Sequence, residues 1–164
     1  MVNILINGAN GRMGKKVFEA CATSDKVKAV CGVDLVGSFS NPNFPIYDSF
    51  QSVKEKVDVI IDFSAPASLD GVLAFALKNN CNAVLCSTGY TEEHIDKINK
   101  ASENIAIFRS ANMSLGVNIL IDLVKKASRA LADFDVEIIE KHHNQKVDAP
   151  SGTALMLADA VKEV

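Results

Sequence analysis

The chain is 164 residues long, 48% hydrophobic and 23% charged, with a formal net charge of −3 and a pI near 5.6. That size suits one domain, or one domain and part of a second; the composition excludes wholesale disorder and a basic nucleic-acid-binding face. No apolar run reaches the length of a membrane span, so no membrane partner is expected. The opening MVNILINGANG lacks the basic and long apolar regions of a secretory signal. Cys21, Cys31, Cys81 and Cys86 have no CxxC spacing and sit among Ala, Val and Leu. They read as buried free thiols of a reducing compartment, so a cytoplasmic location is expected.

In chain order, Asn3–Asn7 is a short apolar run that ends in glycines, the mark of a buried parallel strand. RMGKKVFEACA follows with helical spacing, and Val27–Asp34 is a second strand. Leu35–Pro45 is rich in Gly, Ser, Asn and Pro and predicts an exposed loop, after which SFQSVKEK predicts a short helix. Val57–Ser64 is a third strand, and PASLDGVLAFALKNN a helix with Pro66 in its first turn. NAVLCST predicts a strand, TEEHIDKINKASE a helix capped by Thr91, and IAIFRSA a strand. GVNILIDLVKKASRALADF predicts a long helix with an apolar stripe, DVEIIEKHH one more strand, and PSGTALMLADAV a closing helix. This alternation predicts an α/β fold, a Rossmann-like parallel sheet with helices on both faces. Its ligand edge should be the carboxyl ends of the strands.

GANGRMG sets Gly8, Gly11 and Gly14 between the first strand and the first helix. Side chains there would keep a pyrophosphate from the backbone amides at the positive helix end. Asp34 falls 20 residues after Gly14, at the end of the second strand, where a carboxylate can accept from a ribose hydroxyl. Small residues also permit tight turns and close helix–strand packing, but the position of the loop favours dinucleotide binding. The spacing is GxxGxxG and not GxGxxG, which leaves the turn geometry open.

EIIEKHHNQKVDAPSGTALM gathers His142, His143, Lys146 and a helix start near Ser151–Thr153. Histidine moves protons near neutral pH, and a partly desolvated lysine can join it. Neighbours on a strand point to opposite faces, so the two imidazoles should do different jobs. A bare HH pair is more often a solvated loop, and no third ligand stands at metal-binding spacing, so no metal is expected. The helix start shifts the balance: free amides beside a lysine and histidines form a receptor for carboxylates.

With both motifs in hand, the sequence resembles the dihydrodipicolinate reductase (4-hydroxy-tetrahydrodipicolinate reductase) family from Asn3 to its last residue. The resemblance rests on GANGRMG, VIIDFSAP, STGY, SANMSLGVN and above all EIIEKHHNQKVDAPSGTA. It implies NADH- or NADPH-dependent reduction of a cyclic imine dicarboxylate, formed by loss of water, in the diaminopimelate route to lysine. It further implies His142 as acid/base residue and Lys146 as proton donor, with His143, Ser151, Gly152 and Thr153 holding substrate carboxylates. Gly8, Arg12 and Met13 would follow the pyrophosphate, with Phe63, Ser87, Thr88, Gly89, Ser110, Ala111, Asn112 and Met113 on the nicotinamide side. Many family members place an arginine after the ribose-binding acid, whereas Asp34 is followed by Leu35, so NADH is the expected cofactor. By the same resemblance, residues 1–128 form the dinucleotide domain and 129–164 begin an α+β substrate domain. The family's chain continues through a sheet that builds a homotetramer, so this chain reads as an N-terminal portion. Two rivals remain. Another NAD(P)-dependent dehydrogenase of small amino-acid-like substrates would explain the glycines but not the histidines. A non-catalytic dinucleotide-sensing module would have no use for a proton donor.

Overall fold

The computed structural model describes residues 1–35, 44–110, 112–146 and 149–164. Two compact units make up the chain, Met1–Ser110 and Ala111–Val164.

The first unit holds β1 (Val2–Asn7), α1 (Arg12–Ala22), β2 (Val27–Val33), β3 (Ile46–Tyr47), β4 (Val59–Asp62), α2 (Leu69–Asn79), β5 (Asn82–Leu85), α3 (Glu92–Ser102) and β6 (Ile107–Arg109). The strands form one sheet in the order β3-β2-β1-β4-β5-β6, parallel throughout. The order reverses between β1 and β4, and ligands of such sheets bind at the carboxyl ends of the strands there. Alternation along β1 sends Leu5 to one face and Ile4 and Ile6 to the other. Leu5 joins Ile60, Leu69, Val72, Leu73 and Ile98 under α2 and α3. Ile4 and Ile6 join Cys21, Val17, Phe18 and Phe44 under α1. Helices therefore cover both faces of the sheet, as the apolar runs predicted.

Several local expectations change. SFQSVKEK forms only a single 3-10 turn at Phe50–Ser52, because Phe50 turns inward to meet the Phe75 ring at 5.6 Å. The end of the expected loop is ordered instead: Phe44 is buried, and Ile46–Tyr47 adds edge strand β3 to β2. Residues 36–43 of that loop lie outside the described residues. Pro66–Ser68 is a 3-10 turn with proline at its start, and α2 begins after it.

All four thiols are free. Burial raises every one of them, Cys31 to about 12 with help from the Glu55 charge and Cys86 to about 11 with help from Asp62.

The second unit contains α4 (Leu115–Ala130), capped by Ser114, and α5 (Gly152–Lys162), capped by Ser151. The two helices pack on each other, and Lys125 pairs with Glu163. The boundary drawn after residue 128 from the sequence falls inside α4. The strand expected over 135–143 does not form among the described residues: that stretch has neither helix nor ladder. Apolar alternation alone does not make a strand, since each backbone needs a neighbour to bond. Val136, Ile138 and Ile139 are accordingly exposed. No described helix is long and apolar enough to cross a membrane.

Candidate functional site

The glycine turn is built where the sheet order reverses. Gly8 follows β1 with φ +78°, a conformation glycine adopts without strain. A Cβ there would also lie 2.8 Å from the carbonyl oxygen of Phe63, so the end of β4 presses on the turn. Gly14 is tighter: its Cβ would lie 2.2 Å from the Gly8 oxygen and 2.7 Å from Ala9 Cα. Gly11, the N-cap of α1, donates no side chain to the helix and leaves its first amides to a ligand. Arg12 and Met13 are exposed in that first turn. A cradle that any side chain would fill, at a positive helix end, fits a dinucleotide pyrophosphate.

Beside it opens a cavity of about 510 Å³ lined by Gly8, Gly11, Asp34, Asp48, Phe50 and Phe63 among others. Asp34 follows β2 directly, and its Oδ2 accepts the Asn10 N–H at 2.8 Å, tying the carboxylate to the glycine turn. Val33 pairs with Tyr47 across β2 and β3, so Asp34 and Asp48 leave neighbouring strand ends together. Arg12 does not line the cavity.

Behind the turn lies a buried carboxylate that sequence reading passed over. Asp62, fully buried at the end of β4, accepts Asn7 Nδ2 at 2.8 Å, Ser87 Oγ at 2.9 Å and Tyr90 Oη at 3.2 Å. It also accepts the Ser64 amide at 3.2 Å, and Asn7 donates onward to Ser64 and Ser68. One carboxylate thereby joins the loops after β1, β4 and β5. Burial first, and then the Asp62 charge, push the Tyr90 phenol up to about 12. The Ser87 hydroxyl is committed to Asp62, while Thr88 and Gly89 (φ +82°) lie exposed beyond it. Ser110 follows β6 and donates its amide to the Leu85 carbonyl at 3.2 Å.

In the second unit, Asn112 Nδ2 donates to Thr153 Oγ1 at 2.8 Å, and Asn112 Oδ1 accepts the Ser114 N–H. The expected cofactor-side loop and substrate-side turn are thus bonded to each other. Met113 is exposed beside them, and Ala111 lies outside the described residues. His142 and His143 have different partners, although the strand whose opposite faces they were expected to share does not form among the described residues. His142 Nδ1 stands 3.5 Å from Glu140 Oε2, and His143 Nδ1 accepts the Gln145 N–H at 3.2 Å. The Lys146 amide donates to the His143 carbonyl at 3.2 Å, which closes the loop between them. Ser151 is buried, and its Oγ accepts the Ala154 N–H at 3.1 Å to cap α5, with Gly152 and Thr153 in the first turn. The Ser151 N–H itself donates to Glu140 Oε1 at 2.8 Å. Hydrogen bonding from the Ser151 side chain first, and then from its backbone N–H, holds the Glu140 carboxyl below its usual range, with the His142 and Lys146 charges adding to it against desolvation.

Comparison with known proteins decides the family. A model described as "Dihydrodipicolinate reductase, N-terminus" matches residues 2–113, and one described as "Dihydrodipicolinate reductase, C-terminus" matches residues 116–164. The chain belongs to the dihydrodipicolinate reductase family. It is 46% identical to the 4-hydroxy-tetrahydrodipicolinate reductase of Clostridium tetani, over 99% of this chain and 64% of that protein. It is 47% identical to the enzyme of the same name from Caldanaerobacter subterraneus subsp. tengcongensis, over 100% of this chain and 64% of that one. The chain thus spans less than two thirds of the length of these relatives. The dipicolinate-bound dihydrodipicolinate reductase from Paenisporosarcina sp. TG-14 matches the fold with a TM-score of 0.85 at 28% identity. That match covers 100% of this chain and 66% of the other. Aspartate dehydrogenase from Thermotoga maritima, 23% identical with a TM-score of 0.55, shares the fold over 77% of the chain and 52% of its own. A dihydrodipicolinate reductase chain with this Rossmann-like sheet carries an NAD(P)-type cofactor fold. Asp62 and Glu140 escaped sequence reading although VIIDFS and EIIEKHH contain them. A carboxylate set into an apolar run marked Asp62, whereas Glu140 leads into Lys141, His142 and His143 and nothing marked it.

Proposed function

We propose that this chain contributes the cofactor site and the acid–base centre of a 4-hydroxy-tetrahydrodipicolinate reductase. The observation that carries the reading is a pair of matches to the two halves of one family, residues 2–113 and 116–164. Inside those matches lie a glycine cradle open to a pyrophosphate and a histidine–lysine loop beside a helix start. A nicotinamide dinucleotide held at Gly8, Gly11 and Gly14 supplies a hydride. Reduction of a conjugated cyclic imine also needs a proton, and this reading gives Lys146 and His142 the work of holding and delivering one. His143 and the first turn of α5 meet the substrate carboxylates, where the positive helix end favours anions. Residues 1–128 serve the dinucleotide and 129–164 open the substrate domain. The complete protein forms a homotetramer in this reading.

NADH is the favoured cofactor. Asp34 and Asp48 both face the cavity, and the sequence from Asp34 to Val53 contains no Lys or Arg to hold the additional phosphate of NADPH. Two like charges about 4 Å apart near a protein surface repel by roughly 1–4 kcal/mol, so NADH should bind about tenfold tighter or more. Titration of both reduced cofactors, followed by cofactor fluorescence, measures the ratio; a clear NADPH preference, with Arg12 as its cation, overturns the preference. The activity itself is tested in the full-length protein with freshly prepared hydroxy-tetrahydrodipicolinate and NADH absorbance. Cofactor binding without consumption would leave the sensing module as the better reading.

A further inference from the structure

We propose that Glu140 is a positioning residue whose carboxylate ties the His142 imidazole to the turn that opens α5. One oxygen, Oε1, accepts the Ser151 N–H at 2.8 Å, and the other, Oε2, faces His142 Nδ1 at 3.5 Å. The inference rests on the roles assigned above to His142 and to that turn.

The local chemistry explains why a carboxylate is needed from outside the helix. Ser151 caps α5 by accepting the N–H of the third helical residue, Ala154. In a reciprocal capping box, the side chain at that third position returns a bond to the N-cap amide. Ala154 has no group to return it. Glu140 supplies the missing acceptor from 11 residues upstream, and its charge suits the positive end of the helix. The same carboxylate then stands beside the imidazole. A carboxylate facing Nδ1 favours the tautomer with the proton on Nδ1 and leaves Nε2 as the free nitrogen. The arrangement also divides the turn: the Ser151 amide belongs to the protein's own carboxylate, so an incoming substrate carboxylate meets Gly152 and Thr153. Lys146 also acts on Glu140 by its charge, as His142 does when protonated.

The test is NMR of the isotopically labelled chain and of Glu140→Gln, which keeps an oxygen for the Ser151 N–H and removes the charge beside His142. Long-range nitrogen–proton spectra, recorded above the histidine titration range, should show His142 mainly as the Nδ1–H form in the wild type. In the variant it should turn mainly to the Nε2–H form, with His94 and His143 unchanged. Identical His142 ring nitrogens in the two proteins would overturn the proposal. The wild type alone supplies a second reading should the variant fold poorly. The Glu140 carboxyl is held low, so the tie is complete above the ordinary carboxylate range and is lost as pH falls through the lowered value. The Ser151 amide proton should shift with that titration; an amide indifferent to it sinks the proposal. Neither measurement requires turnover, so a chain that passes both and never consumes NADH fails only the functional reading.

Discussion

Gly14→Ala is expected to destabilise the first unit by about 3 kcal/mol or more, the upper end for forced overpacking, and to abolish dinucleotide binding. The added methyl would stand 2.2 Å from the Gly8 oxygen, 2.7 Å from Ala9 Cα and 2.9 Å from the Ala9 carbonyl carbon. All three are backbone atoms, so no side chain can rotate away. The turn after β1 must move, and with it the Gly8 carbonyl, which accepts the Gly11 N–H at 3.1 Å and so shapes the cradle. Gly116→Ala is the control. Its methyl would meet nothing nearer than Ser114 Oγ at 3.9 Å, and alanine in a helix gains about 0.5–1 kcal/mol over glycine. Thermal unfolding should show a midpoint lowered by roughly 10 °C or more for the first variant and unchanged or raised for the second. Wild-type midpoint and NADH affinity in Gly14→Ala would mean that the helix does not pack on the turn as closely as described.

Lys146→Ala and His142→Ala should each lower kcat in the full-length enzyme by about two to four orders of magnitude, the range for positioned acid–base groups. His143→Ala should mainly raise KM, because it loses a contact made equally in the ground state and the transition state. The loop keeps its Lys146 amide to His143 carbonyl bond in all three variants, and only His143→Ala also removes the acceptor of the Gln145 N–H. Steady-state kinetics separates these outcomes. Lost turnover at unchanged KM in His143→Ala would reverse the two histidine roles.

Where the sequence was read well, the reason was local. Helix α1 begins and ends where RMGKKVFEACA does, and β1 differs from the expected strand by one residue. Buried parallel strands are short apolar runs, and Gly8, which ends the first, is required by its positive φ and by backbone contact. Reading failed where tertiary contacts decide. SFQSVKEK reads as a short helix, but it makes one 3-10 turn, with the Phe50 ring against that of Phe75. Residues 135–143 alternate like a strand and have no partner ladder among the described residues. The Asp62 network joins residues 25 to 55 positions away, a range no local pattern encodes. The histidines, the lysine and the glycines were visible because their side-chain chemistry is rare in that order. Glu140 was not, since a glutamate in a polar loop is ordinary until Ser151 is found against it.

The thiols carry a practical corollary. Cys21, Cys31 and Cys81 are buried, Cys86 is half-buried, and all four hold their protons well above neutral pH. Alkylating reagents attack the thiolate and need access to it, so the folded first unit offers them little. These 164 residues are therefore a quiet background for site-specific labelling. A single cysteine introduced on an exposed face could carry a fluorophore or a spin probe, with none of these four to remove first.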